Sequence, residues 1–210
     1  MKNRVLLTRS KKENQLIISL LSDRTNIEFI QLNLINYSPL AVNNELFNEY
    51  SSLIITSNYV AKNISIAPKD DILVWVVGTK SAKELENKGY KIGFIAPSVE
   101  ILIHNLPKSE LNNMVYLSGD IISKEMPNGI RREVVYKVTY LNSLDQEVIV
   151  KIKEGINYLT AYSKNCAKTL LNLLVENNLL KYLENTKVIA ISSSVGNILK
   201  PHFKNIIVTD

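Results

Sequence analysis

The sequence predicts an α/β protein built on mainly parallel sheets, and three observations carry that expectation. Ten apolar runs of strand length punctuate the chain. They are continuous and rich in β-branched residues rather than strictly alternating, as in strands covered on both faces of a parallel sheet. Segments of helical period separate them, and alternation of strand with helix is the α/β signature. The ends of several strands also recur in pairs.

In chain order the expected strands cover residues 5–8, 27–32, 53–56, 73–77, 92–95, 114–117, 134–138, 158–161, 188–191 and 206–208. Helices are expected between them, for example over 14–21, 81–88 and 166–177, the last with an apolar stripe of Leu170, Leu171, Leu174 and Val175.

The pairs point to duplication. Leu53-Ile54-Ile55-Thr56-Ser57-Asn58 is similar to Leu159-Thr160-Ala161-Tyr162-Ser163-Lys164. Val77-Gly78-Thr79-Lys80-Ser81-Ala82 is matched by Ile191-Ser192-Ser193-Ser194-Val195-Gly196, and Val5-Leu6-Leu7-Thr8-Arg9-Ser10 by Val115-Tyr116-Leu117-Ser118-Gly119-Asp120. The offsets are roughly 105–115 residues, a domain-sized repeat. Two strands precede the first full copy, so five strands per copy require one domain to be split. Residues 1–34 with 142–210 are expected to form one domain and 39–136 the other, with crossings near 33–38 and 136–142. Two adjacent crossings would make a hinge between two facing clefts.

Bulk properties narrow the function. The 210 residues carry a net charge of +5, which favours anionic partners, but the basic residues are scattered, Lys11-Lys12 and Arg131-Arg132 being the longest runs. Nucleic acid is therefore not expected as a partner. No segment approaches the roughly 20 apolar residues of a membrane span. Lys2 and Arg4 precede only Val5-Leu6-Leu7, too short for an export signal. The single cysteine, Cys166, fits a reducing, cytoplasmic setting. His104 and His202 lack neighbours at ligand spacing, so no metal is expected.

Open parallel sheets bind ligands beyond the carboxyl ends of their strands, where following helices present free N–H groups. Thr56, Ser57, Ser81, Ser163 and Ser194 fall in such turns and are candidate donors to an anion. Each is equally what a structural helix cap requires. The P-loop, dinucleotide and nucleophile-elbow motifs are absent from the sequence. Gly78 reads as a tight turn, Trp75 as core packing, and Cys166 as an inert, partly buried thiol.

These residues resemble the uroporphyrinogen-III synthase family along nearly the whole chain and in the family's order. Val5-Leu6-Leu7-Thr8-Arg9 is similar to its opening strand, and Ile55-Thr56-Ser57 to its Phe-Thr-Ser segment. Val77-Gly78 followed by Ser81-Ala82 and Leu85 resembles a Val-Gly turn with Ser81 in place of Thr. Ser118-Gly119-Asp120 is similar to a glycine turn, Val135-Tyr136-Lys137 to a crossing strand, and Tyr162-Ser163-Lys164 to a second serine turn. Ile191 to Leu199 resembles a second glycine turn, with Ser194 at the hydroxyl position. Ser10, Ser192 and Val195 depart from the family's Pro, Gly and Thr, and a helix that relatives add after the last strand has no counterpart before Asp210. One face of the split domain is then expected to be less covered.

The resemblance implies two flavodoxin-like domains with mainly parallel five-stranded sheets, joined by a two-stranded hinge. It implies a cofactor-free hydro-lyase acting as a monomer on hydroxymethylbilane, a tetrapyrrole with eight carboxylates. Water is lost, ring D is inverted through a spiro intermediate, and the ring closes to uroporphyrinogen III in haem biosynthesis. Thr8 and Arg9 join the hydroxyls above as candidate substrate contacts. Tyr136 is the candidate acid for the departing hydroxyl, with Tyr140 and Tyr162 as alternatives. A non-catalytic two-lobed protein binding small anions would carry the same duplication and the same hydroxyls.

Overall fold

The computed structural model describes every residue except 1, 25, 43, 44, 46, 47, 70 and 210. The chain divides into two compact units, Met1–Asn36 with Thr139–Asp210, and Tyr37–Val138. Among the described residues no helix is long and apolar enough to cross a membrane.

In the split unit, β1 (Asn3–Leu7) pairs in parallel with β2 (Ile27–Gln31), while α1 (Lys11–Leu20) connects them. The second unit then intervenes, carrying β3 (Ile35–Pro39), β4 (Ser52–Ile55), α2 (Asn58–Asn63), β5 (Leu73–Val77), α3 (Thr79–Glu86), β6 (Lys91–Ala96), α4 (Val99–Asn105), β7 (Met114–Gly119) and β8 (Arg131–Tyr140). The chain returns through α5 (Gln146–Lys153), β9 (Tyr158–Ala161), α6 (Lys164–Glu176), β10 (Lys187–Ala190), α7 (Ser193–Leu199) and β11 (Asn205–Val208). The split unit's sheet runs β11-β10-β9-β1-β2.

Its core forms where Leu6, Leu159, Ala161, Val188 and Ala190 of the strands meet Ile152, Leu170, Leu173, Leu174 and Leu199 of the helices. The buried positions of α6 include 166, 167, 170, 171, 173 and 174, the three-and-four spacing of a single helical face. Ser163 caps that helix by accepting the Cys166 N–H at 3.1 Å. Asn178, with φ of 54°, turns the chain out of it, a conformation that asparagine tolerates better than most residues. Ile191 and Ile207 are 45% and 49% exposed, so this sheet is incompletely covered near β10 and β11.

The second sheet runs β3-β8-β7-β4-β5-β6. Its middle strands β4 and β7 are buried throughout, as continuous apolar runs require. Leu53, Ile55, Val74, Val76, Val115 and Leu117 face α2 and α3 through Val60, Ala61, Ala82 and Leu85. Ile54, Met114 and Tyr116 pack on the opposite face with Leu102 and Leu106. Gly78 sits at the N-cap of α3 with φ of 86°, left-handed backbone that glycine adopts without strain.

This sheet has six strands, not the five expected. The additional strand is β3, whose Ile35-Asn36-Tyr37-Ser38-Pro39 has the composition of a linker. Pro39 can end it because β3 lies at the sheet edge, where a missing N–H leaves no interior pairing unmade.

The duplication is visible in topology. Replacing β1, β2, β9, β10 and β11 by β7, β8, β4, β5 and β6 converts the first sheet order into the second, with β3 added outside β8. The two units are one strand arrangement entered at different points along the chain.

Candidate active site

The strand order of each sheet reverses at one place, between β9 and β1 in the split unit and between β4 and β7 in the other. Ligand sites in open parallel sheets lie beyond the carboxyl ends of the strands at such reversals. In the second unit those ends carry Thr56-Ser57 and Ser118-Gly119. In the split unit they carry Thr8-Arg9 and Tyr162-Ser163.

The second unit gathers phenols there. Ser57 caps α2 by accepting the Tyr59 N–H at 3.2 Å. It also accepts a hydrogen bond from the Tyr136 hydroxyl at 3.0 Å. Tyr136 is buried, its ring 4.6 Å from that of Tyr59 and 5.8 Å from that of Tyr37. The Thr56 hydroxyl lies 2.8 Å from the Tyr116 hydroxyl, so a second phenol reaches the same strand end from the other face. Burial pushes the pKa of both Tyr116 and Tyr136 above the ordinary phenol value, against the smaller opposing effect of their hydroxyl partners. Both are protonated at neutral pH. Arg132 closes the end of β7 by donating to Ser118 Oγ at 2.9 Å and to the carbonyls of Gly119 and Asp120 at 2.8 and 2.9 Å.

The split unit gathers a guanidinium instead. Arg9 lies over the Tyr162 ring, 4.5 Å from its centroid, and pairs with Glu13 one turn into α1 at 2.5 Å. Its backbone is held by the fully buried Asn14, which accepts the Arg9 N–H at 3.2 Å and donates to the Arg9 carbonyl at 2.9 Å. Thr8 is buried and donates to the Thr160 carbonyl at 2.6 Å, so its hydroxyl proton ties β1 to β9. The Cys166 thiol is buried, and burial raises its pKa, which suits an inert thiol.

The family model described as uroporphyrinogen-III synthase HemD matches residues 18–209, which includes most of both units. This chain belongs to the uroporphyrinogen-III synthase family. It is 32% identical to a Rickettsia prowazekii (strain Madrid E) protein named "Uncharacterized protein RP474", over 98% of this chain and 93% of that one. The fold is similar to that of a mutant uroporphyrinogen III synthase from the extremely thermophilic bacterium Thermus thermophilus, with a TM-score of 0.59 at 13% identity, covering 99% of this chain and 92% of that one. It is also similar to uroporphyrinogen-III synthetase from Helicobacter pylori 26695, with a TM-score of 0.58 at 18% identity, covering 98% and 92%.

Within this uroporphyrinogen-III synthase family member, the residues singled out in the sequence fall into distinct settings. Thr56, Ser57 and Tyr136 converge at the reversal of one sheet, and Thr8, Arg9 and Ser163 stand at that of the other. Ser81 lies in the first turn of α3, buried rather than at the cap. Ser194 is exposed near the start of α7, 3.0 Å from the Ser192 hydroxyl. Of the alternatives to Tyr136, Tyr140 accepts a hydrogen bond from Asn165 at 3.0 Å and Tyr162 lies under Arg9. Sequence reasoning missed Tyr116, Asn14 and Arg132. Tyr116 sits in an apolar strand and reads as core there, and Asn14 lies in the polar run Lys11-Lys12-Glu13-Asn14-Gln15, where nothing marks it as buried.

Proposed function

We propose that the protein is a uroporphyrinogen-III synthase that closes hydroxymethylbilane with loss of water and inversion of ring D. The family match over 18–209 carries this reading and selects the enzyme over a two-lobed binding protein. The reaction breaks the C–O bond of the hydroxymethyl carbon and joins that carbon to the substituted α-carbon of ring D. It then breaks the C–C bond between rings C and D and re-forms it at the free α-carbon, whose proton is lost. Hydroxide and proton leave as water, so the reaction is redox-neutral and the pyrroles supply the electrons. The substrate closes unaided to the type I isomer, and the protein's task is chiefly geometric.

In this reading Tyr136 turns its hydroxyl proton from Ser57 to the departing hydroxyl when substrate is bound. A phenol held protonated by burial is suited to that donation. Arg9 is the charged contact to substrate carboxylates, and Ser57, Thr56, Ser81, Ser163 and Ser194 supply hydroxyls and helix-end N–H groups. Thr8 acts by shaping the strand end, since its proton is spent on Thr160. The chain segments that pass between the units serve as a two-stranded hinge. The enzyme works as a cytoplasmic monomer without nucleic-acid partners.

The experiment is direct. Purified protein is given hydroxymethylbilane, and the oxidised porphyrin products are resolved by isomer. Predominantly type III product is expected, and entirely type I product from folded protein would overturn the assignment.

A further inference from the structure

Tyr136 reaches Ser57 through an irregularity in β8. Ser118 pairs with Val134, but the next residue of β7, Gly119, pairs with Tyr136, leaving Val135 as an extra residue. Side chains alternate along a regular strand, so the extra residue reverses the sense of everything after it. Both Val135 and Tyr136 consequently pack on the cluster that holds Leu117, Leu53 and Val60. A regular β8 would aim Tyr136 at the face occupied by Met114 and Tyr116.

The bulge brings the phenol directly over Gly119. A Cβ at Gly119 would lie 2.6 Å from Cζ, 2.7 Å from Cε2 and 2.9 Å from the hydroxyl oxygen of Tyr136. Non-bonded carbon and oxygen atoms do not tolerate those separations, so any side chain there must displace the end of the ring. The ring has little room to yield, because Tyr59 and Tyr37 lie against it. Gly119 has no left-handed φ, so glycine is required here for close approach and not for backbone conformation.

We infer that Gly119, with the bulge at Val135, is the positioning residue that sets the place of the Tyr136 hydroxyl. The catalytic consequence rests on the reading of Tyr136 given above, whereas the placement itself does not.

The test uses the full chain and separates the two. The titration of Tyr136 is read as tyrosinate absorbance, taking the difference between each protein and its Tyr136→Phe counterpart. In Gly119→Ala the displaced phenol is more solvated, and its midpoint is expected to fall towards that of an ordinary phenol. An unchanged midpoint overturns the inference. Isomer-resolved kinetics are then expected to show kcat lowered about tenfold or more with KM within about twofold. Adding Gly119→Ala to Tyr136→Phe is expected to lower kcat little further, because both act through one hydroxyl. Equal losses in the two backgrounds overturn the inference as well. A fallen midpoint with unchanged kcat upholds the placement and refutes the acid role of Tyr136. Should Gly119→Ala not fold, Gly119→Ala/Tyr136→Leu removes the crowding atoms and is expected to fold. Failure of that double variant shows that the ring is not what Gly119 accommodates.

Discussion

The two units share one strand arrangement, yet they place opposite chemistry at equivalent strand ends. In the sequence repeat Arg9 corresponds to Gly119 and Ser163 to Ser57. Where the split unit has a guanidinium lying over Tyr162, the other has a glycine with a phenol lying over it. β1 and β2 run in continuous register, whereas β7 and β8 are interrupted by a bulge. Strand order is held by the packing of whole sheets and survives duplication easily. The residue just past a strand end carries little of that packing, so it is free to change. One fold unit thus carries a guanidinium past this strand end, and its copy a glycine beneath a phenol.

The largest effect is expected from Tyr136→Phe. The substitution removes the hydroxyl and leaves the ring packed against Tyr59. Loss of a general acid typically costs about 10²–10⁴-fold, and kcat should fall within that range with KM nearly unchanged. Turnover within twofold of wild type, with an unchanged isomer ratio, would leave Tyr136 as packing and shift attention to Tyr116. Arg9→Ala should have the next largest effect, of the opposite kinetic kind. A hydrogen bond to a charged group is worth about 1.5–3 kcal/mol, so KM should rise roughly 10–100-fold while kcat changes less. If kcat fell and KM held, the two strand ends would not be divided between binding and proton donation.

Much of the fold was legible because parallel strands buried on both faces are simple apolar runs. β4 and β7, at the centre of their sheet, are the clearest cases. β3 was not legible, since an edge strand containing Asn, Ser and Pro is not under the same demand. The hydroxyls were legible as a set but not individually. Thr8 and Thr56 both end strands, yet one spends its proton on a carbonyl 152 residues away and the other meets a phenol 60 residues away. Local sequence does not encode such non-local partners. Gly119 was visible as a glycine turn, but its reason depends on a pairing register between two strands.

The smallest effects come from the two equivalent serines, and they bear on the comparison most directly. Ser57 and Ser163 each cap a helix by accepting a backbone N–H, from Tyr59 and from Cys166. Replacing either by Ala should remove that cap and cost about 1 kcal/mol of stability, read as a similar lowering of the denaturation midpoint. Only Ser57 also accepts from Tyr136. Ser57→Ala should therefore lower kcat several-fold, as the phenol loses the partner that orients it, while Ser163→Ala should leave kcat within about twofold. Both variants need assay at a temperature where each is fully folded, so that lost stability is not read as lost turnover. Equal kcat for the two would mean that Ser57 is a cap like its counterpart, and that the units do not differ at these serines.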